Sequence, residues 1–342
     1  MTKKRVAING FGRIGRAFLK LAEKNDHIEI VAINDLGDLE NIAYLLKYDS
    51  VYGVCDLDIE TKDGALVVNG RKIPFISERE LEKLPWKDMD IDIVLESTGV
   101  FASYEKSRVH LDAGAKRVVI SAPVKDAPPS GINGATILMG VNEEKLQTCQ
   151  ISSNASCTTN AGSPVIQVLE EVVGIEKALL NTVHGYTATQ AIVDSPNKGD
   201  FRKGRAAAQN IIPSTTGAAI ATTKAITSLE GKFDGIAIRV PVIAGSIVDI
   251  TFVTKKDVTV EEINEILTKA SKTERWNTLL SVTNEPIVSH DILGSSYTSI
   301  VDLSFTRVVG GNLVKVLSWY DNEQGYTSSL VQHVALSASH LS

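Results

Sequence analysis

The 342-residue sequence predicts an α/β chain of two domains, a parallel-sheet domain followed by an α+β domain with a mainly antiparallel sheet. Three observations predict it. Residues 5–9 (RVAIN), 28–34 (IEIVAIN), 91–99 (IDIVLESTG) and 116–123 (KRVVISAP) are short apolar runs, the later ones ending in small polar residues, as strands buried on both faces do. Between the first two lies RAFLKLAEK, with Phe18, Leu19 and Ala22 on one helical face. Far downstream, FDGIAIRVPV, GSIVDITFVT, PIVSHD, YTSIVDLSFTRVV and NLVKVLSWYD alternate apolar and polar residues, the pattern of a sheet with one solvated face. The domain boundary is expected at Ser156, giving 1–156 and 157–322.

Composition narrows the function. At 43% hydrophobic and 22% charged, with net charge −6, the chain has material for two cores and no basic surplus to suit nucleic acid or a membrane surface. No apolar run reaches the ~18 residues of a membrane span. The segment MTKKRVAING lacks the apolar core and cleavage site of a signal peptide. Cys55, Cys149 and Cys157 form an odd, scattered set, which argues against a disulfide framework and for a reducing compartment. No Cys/His spacing suits zinc, so no metal is expected.

In chain order, RVAIN runs into GFGRIG, with Gly10, Gly12 and Gly15. A lone Gly-x-Gly-x-x-Gly can be an incidental turn. Here it lies between a strand and a helix, and the second strand ends at Asp35, 20 residues beyond Gly15. That is the context of a Rossmann dinucleotide fingerprint. Gly10 permits the tight turn, Gly12 lets backbone approach a pyrophosphate at the helix N-terminus, and Gly15 allows close helix–strand packing. Asp35 would accept from a ribose and repel a 2′-phosphate, so NAD is expected rather than NADP. Residues 43–76 read as a hairpin excursion with an Asn69–Gly70 turn. Parallel sheets bind ligands at the strands' carboxyl ends, which places Ser97, Thr98, Gly99 and Ser121 by the cofactor. A Pro/Gly-rich loop, 124–136, precedes two more strand candidates, TILMGVN and QISSNAS.

Cys157 sits in ISSNASCTTNAGSP, among hydroxyls and amides rather than the Val, Leu and Ile around a structural cysteine. The run VIQVLEEVV follows, which places the thiol at a helix N-terminus, where the dipole would lower its pKa and backbone N–H groups would hold an oxyanion. A capping segment with an incidental cysteine is the other reading. Pro164 requires that the helix begin near Ser163 or be distorted. Cys157 is expected at the junction of the domains, where ligand sites often form.

KALLNTVHGYTATQ gives a strand that delivers His184, one of six histidines. His27 and His110 fall in the nucleotide half, His290 follows the strand PIVSHD, and His333 and His340 lie on the last helix. His184 could serve as base to Cys157, or be a solvated or core histidine. A thiolate beside a nicotinamide would attack an aldehyde, give a hemithioacetal that loses hydride to NAD, and leave a thioester. Arg205, Arg239 and a turn at Ser214–Gly217 would suit a phosphorylated substrate, with surface ion pairing as the alternative for either arginine. The polar stretch 194–210 reads as a functional loop or interface. Tyr326, Leu330 and Val334 mark the apolar stripe of a final helix.

The segments AINGFGRIGR, LLKYDSVYG, ESTGVF, SNASCTTN, TVHGYTATQ, GRAAAQNIIPSTTGAA and SWYDNEQGY follow one another in the order seen in phosphorylating glyceraldehyde-3-phosphate dehydrogenases, which the chain resembles over essentially its whole length. The resemblance implies NAD-dependent conversion of glyceraldehyde 3-phosphate and inorganic phosphate to 1,3-bisphosphoglycerate by a cytoplasmic homotetramer. It implies Cys157 as nucleophile and His184 as base. For the substrate's phosphate it implies Thr187 and Arg239; for the attacking phosphate it implies Ser156, Thr158, Thr216 and Gly217, with Arg205 nearby. For NAD it adds backbone contacts at Arg13 and Ile14, Arg79 near the adenine, Ser121 on the nicotinamide side and Asn322 orienting the carboxamide. It also implies that residues 323–342 complete the first domain. Several positions depart from the family pattern: Ala161 replaces a second cysteine, Gln324 the tryptophan of DNEWGY and Ile220 a frequent lysine, and RVPVIAGSIVD lacks the usual Thr and Pro-x-Asn after RVP. Erythrose-4-phosphate dehydrogenase shares this chemistry and is an alternative, as is a catalytically weak NAD-binding interaction protein, which loss of Cys157, His184 or Arg239 would mark.

Overall fold

The computed structural model describes residues 3–341; Met1 and Thr2, where the N-terminal segment starts, and Ser342, where the expected last helix ends, lie outside the described residues. The chain forms two compact units, one of the residues up to Ala155 with those from Thr327, the other Ser156–Tyr326.

In the first unit, β1 (Lys4–Asn9), α1 (Arg13–Ala22) and β2 (Ile28–Asn34) make a parallel βαβ, with Ile8 opposite Ile33. α2 (Leu39–Lys47) follows, capped by the Asp38 carboxylate on Asn41 N. The expected hairpin excursion therefore starts later than residue 43, because Ile42, Ala43 and Leu46 are buried at helical spacing. β3 (Tyr48–Asp49) and β4 (Gly53–Val54) pair with each other. β5 (Ile59–Lys62), β6 (Ala65–Val68) and β7 (Arg71–Ile76) form an antiparallel meander. Its Asn69–Gly70 turn has φ of +50° and +76°, the left-handed pair a tight hairpin needs.

β8 (Ile93–Glu96), α3 (Tyr104–Asp112), β9 (Arg117–Ile120), β10 (Gly134–Thr136) and β11 (Ile151–Ser153) complete the unit's strands. The sheet order is β10-β11-β9-β8-β1-β2-β7-β6-β5, parallel from β10 through β7. TILMGVN is not a full strand. It leaves the sheet after Thr136, and Ile137 packs with Leu146 and Cys149 instead. Chain order reverses about β1, with β2 on one side and β8 on the other, so the carboxyl ends of β1 and β8 frame the ligand crevice of such sheets.

In the second unit, α4 (Cys157–Val172) begins at Cys157 and runs through Pro164 rather than starting near Ser163. Every residue from Thr158 to Ile166 is buried, and that packing outweighs the ~3 kcal/mol cost of an interior proline. The strands are β12 (Ile175–Gly185), β13 (Ile212–Thr215), β14 (Phe233–Val240), β15 (Ser246–Thr254), β16 (Leu280–Thr283), β17 (Ser299–Val309) and β18 (Leu313–Tyr320). α5 (Ala218–Ala225) and α6 (Val260–Ala270) lie between them. The sheet order is β13-β14-β12-β15-β18-β17-β16, antiparallel except at β12–β14 and β16–β17.

Alternate residues of β15 are buried, and a Cβ on Gly162 of α4 would come within 3.1 Å of Leu180 Cδ1, so α4 lies close on the sheet's inner face. PIVSHD is not a strand. Residues 286–288 are irregular and the chain turns from Ser289, with Val288 N donating to Asp291 Oδ2, and β16 supplies the edge instead, so His290 follows no strand. Ser214 and Thr215 belong to β13, which leaves only Thr216 and Gly217 in the turn. The 194–210 stretch contains a short 3₁₀ turn at Phe201–Gly204.

α7 (Gln324–Ser339) buries Tyr326, Leu330 and Val334, and His340 lies just past it. His333 is fully buried, its Nε2 2.8 Å from Ser152 Oγ and its Nδ1 3.0 Å from Asn154 Oδ1. Burial pushes its pKa from 6.5 down to about 3. Between those values the unfolded chain takes up a proton that the folded chain refuses, so stability falls with falling pH, by about 1.4 kcal/mol per pH unit. His333→Gln is expected to remove that contribution to the slope and to leave the similar one of His184. Denaturant unfolding of both proteins from pH 6 to pH 4 measures it, and an unchanged slope would contradict the assignment.

Candidate active site

In the first unit, Gly10 has φ +94°, and a Cβ there would lie 2.5 Å from Thr98 N. A Cβ on Gly15 would lie 2.3 Å from Gly10 O. Gly12 caps α1 without a side-chain hydrogen bond, and nothing lies within 4 Å of where its Cβ would be. The turn is thus bare backbone at a helix N-terminus, the form that admits a pyrophosphate. Asp35 Oδ2 accepts from Phe11 N (2.6 Å) and Oδ1 from Gly37 N (2.8 Å), which fixes the carboxylate at the end of β2. The Arg13 side chain is held by Asp49 at 2.8 Å, and that charge helps keep the Asp49 carboxyl below its usual range although burial pushes the other way. Ile14 follows in the first turn of α1. Thr98 N donates to Glu96 Oε1, Ser121 N donates to Glu96 O, and Arg79 is exposed beyond β7. These residues fit a dinucleotide.

In the second unit, Ser156 caps α4, its Oγ accepting from Thr159 N, and Cys157 is the first helical residue. β12 carries His184 to the thiol, with Cys157 Sγ 3.4 Å from His184 Nε2. Arg239 stands beside His184 in the parallel β12–β14 register, its Nη1 2.5 Å from Nδ1 and 3.1 Å from Gly185 O. Nδ1 is itself 2.6 Å from Gly185 O.

The expected lowering of the thiol pKa is not what this site produces. Burial pushes Cys157 up, and the Arg239 charge and the Thr158 N–H only oppose it. His184 goes down from 6.5 to about 3, through burial first and the Arg239 charge second. The resting pair is a thiol facing a neutral imidazole whose Nδ1 accepts from Arg239.

Thr158 Oγ1 bonds Tyr320 OH (2.9 Å), which also bonds Thr182 Oγ1 (2.8 Å) and stands edge-on to His184. Asn322 Oδ1 accepts from Gly245 N and Ser246 Oγ. Thr187 Oγ1 is 3.0 Å from Thr189 Oγ1, and Thr216 Oγ1 accepts from Ala218 N beside Gly217, the cap of α5. Arg205 is exposed and its Nε donates to Asp194, so it is engaged in an ion pair rather than with Cys157 or His184. Tyr320 and Ser246 were not expected from sequence. Each occupies an inward position of an alternating strand, and only the three-dimensional pairing of β15 with β18 reveals their hydroxyls.

Residues 4–104 match the family model described as glyceraldehyde 3-phosphate dehydrogenase, NAD binding domain, and residues 156–322 match its C-terminal domain. The chain is 49% identical over 334 residues to glyceraldehyde-3-phosphate dehydrogenase of Borreliella burgdorferi, covering 96% of this chain and 97% of that protein. It is 47% identical over 337 residues to that of Geobacillus stearothermophilus, covering 98% of each. The chain belongs to the glyceraldehyde-3-phosphate dehydrogenase family. As a member it is an NAD-dependent oxidoreductase of glycolysis, and its first unit carries the family's NAD-binding domain. The Cys157–His184 pair lies within the stretch matched by the family's C-terminal model.

Proposed function

We propose that Cys157 and His184 carry out the phosphorylating oxidation of glyceraldehyde 3-phosphate through a thioester, with inorganic phosphate as the second substrate. The observation that carries this reading is the 3.4 Å approach of Sγ to a neutral, buried Nε2. His184 takes the thiol proton as Sγ attacks the aldehyde carbon, and the N–H groups at the start of α4 stabilise the oxyanion. Arg239, Thr187 and Thr189 offer a cation and hydroxyls to the substrate's phosphate. A phosphate that draws Arg239 away leaves Gly185 O to accept from Nδ1–H, which frees the Nε2 lone pair toward Sγ. His184 returns that proton to the oxygen, which completes the hemithioacetal, and takes it back as the thioester carbonyl forms and the hydride leaves. NAD, when bound, supplies the hydride acceptor. Ser156, Thr158, Thr216 and Gly217 then hold the inorganic phosphate that cleaves the thioester, with Arg205 nearby. Ser121 and Asn322 are assigned to the nicotinamide, and Arg13, Ile14, Asp35, Arg79 and Thr98 to the rest of the dinucleotide.

Asp35→Ala is expected to raise the KM for NAD about tenfold and to narrow the preference over NADP, because the ribose loses an acceptor and a 2′-phosphate loses a repelling charge. Initial rates with each cofactor test this, and an unchanged NAD:NADP ratio would contradict the role.

The same reading makes the protein a cytoplasmic homotetramer. Its three free cysteines suit a reducing compartment. Exposed Leu179 and Leu313, on the sheet face opposite α4, and Ile220 of α5 line a groove of about 830 Å3, and Asn181 Oδ1 on that sheet face is buried without a partner. Apolar surface of this kind suits a second copy of the chain. Sedimentation velocity decides it, with a monomer as the contrary result. Among the described residues no helix is long and apolar enough to cross a membrane.

A further inference from the structure

Beneath the nucleotide turn runs a buried polar ladder. Glu96, 1% exposed at the end of β8, accepts from four donors. Oε2 takes Asn9 Nδ2 (2.6 Å) and His110 Nε2 (3.1 Å); Oε1 takes Thr98 N (2.9 Å) and the Thr98 hydroxyl. The His110 proton is placed unambiguously. Trp86 Nε1 can only donate, and it lies 3.0 Å from Nδ1, so the ring proton is on Nε2 and points at Glu96. Every partner of the carboxyl is a donor, the pattern of an acceptor-only carboxylate.

From Asn9 the ladder continues across the sheet. Asn9 Oδ1 accepts from Asn34 Nδ2 (2.7 Å), Asn34 Nδ2 also donates to Glu78 O (2.9 Å), and Asn34 Oδ1 accepts from Glu78 N (2.9 Å). Its members share one placement. Asn9 immediately precedes Gly10, Asn34 precedes Asp35, Glu78 precedes Arg79, and Thr98 is itself one of the cofactor residues. The ladder thus ties together the ends of β1, β2 and β8 and the loop after β7, beside the groups assigned to the dinucleotide.

We propose that Glu96 is a positioning residue for NAD, locking Gly10, Asp35, Arg79 and Thr98 into one preformed arrangement, with the Trp86–His110 pair fixing the proton that completes its carboxylate. The inference rests on the NAD contacts proposed above, but its readout is cofactor affinity, which does not depend on the thiol chemistry. Gln at position 96 keeps the shape and turns one acceptor oxygen into a donor, which must then face either Asn9 and His110 or Thr98. Buried hydrogen bonds to a charged group are strong enough that losing one from a site's support is expected to weaken NAD about tenfold.

The test is calorimetric NAD titration of the full chain, well below its unfolding temperature, for wild type, Glu96→Gln and Trp86→Phe, with KM for NAD and kcat measured in parallel. Glu96→Gln is expected to raise the NAD Kd and KM about tenfold, with kcat at saturating NAD within about twofold of wild type. Trp86→Phe, which keeps a ring and removes only the N–H that sets the His110 tautomer, is expected to raise the Kd severalfold. A purely structural ladder would lower the unfolding temperature of both variants and leave the Kd of the folded protein unchanged, and that result overturns the proposal. If Glu96→Gln does not fold, an unchanged Kd in Trp86→Phe overturns it alone.

Discussion

Cys157→Ser is expected to lose at least about 10⁴-fold in turnover while binding NAD as wild type does. The substitution exchanges one atom at the first residue of α4 and leaves the Ser156 cap and the burial of Thr158 to Ile166 in place. What it removes is the nucleophile. A hydroxyl in this position is a far weaker acid than even a thiol pushed up by burial, and His184, held near 3, is a weak base for it. Gly10, Gly12 and Asp35 belong to the other unit and are untouched, so calorimetric NAD affinity should stay within about twofold. Steady-state rates with glyceraldehyde 3-phosphate give the first number and titration the second. Turnover within tenfold of wild type would remove the thiol from the mechanism.

His184→Asn is expected to lose about 10²- to 10⁴-fold, the usual worth of a positioned base. Its more telling effect is on pH dependence. In the wild type, His184 stays neutral at any pH well above about 3, so its own titration places no step in the rate between pH 6 and 9. Without it, only thiolate already present can attack. Because burial raises the Cys157 pKa, that fraction grows about tenfold per pH unit on approach to the raised value. Single-turnover oxidation across pH 6 to 9 should therefore climb steeply in the variant. A variant profile as flat as the wild type's would mean that His184 does not take the thiol proton.

The parts of the site legible in the sequence are those that backbone geometry demands locally. Gly10 and Gly15 tolerate no Cβ, and Asp35 ends a strand, so their spacing carries the nucleotide turn by itself. Cys157 and His184 were visible as a pair of chemical types. The Arg239 contact with His184 was not, because it depends on the parallel register of β12 against β14, which only tertiary pairing sets. The direction of the thiol pKa is not legible in the sequence for a related reason. The helix N-terminus is a local feature, whereas the burial that outweighs it comes from the whole unit. Pro164 inside α4 and the missing strand at PIVSHD have the same origin, since local propensity is overruled by what packs on the segment. The ladder from Glu96 to Glu78 joins residues from three strands and the loop after β7 and has no sequence signature.

The proposed mechanism turns on a covalent thioester at Cys157. Wild-type protein mixed rapidly with NAD and glyceraldehyde 3-phosphate, without inorganic phosphate, should release a burst of one NADH per chain and then stall. Mass spectrometry of the quenched sample should place the acyl group on the peptide that contains Cys157, and added phosphate should restart turnover. Steady NADH formation with no burst in the absence of phosphate, or an acyl group on any other residue, would contradict the account.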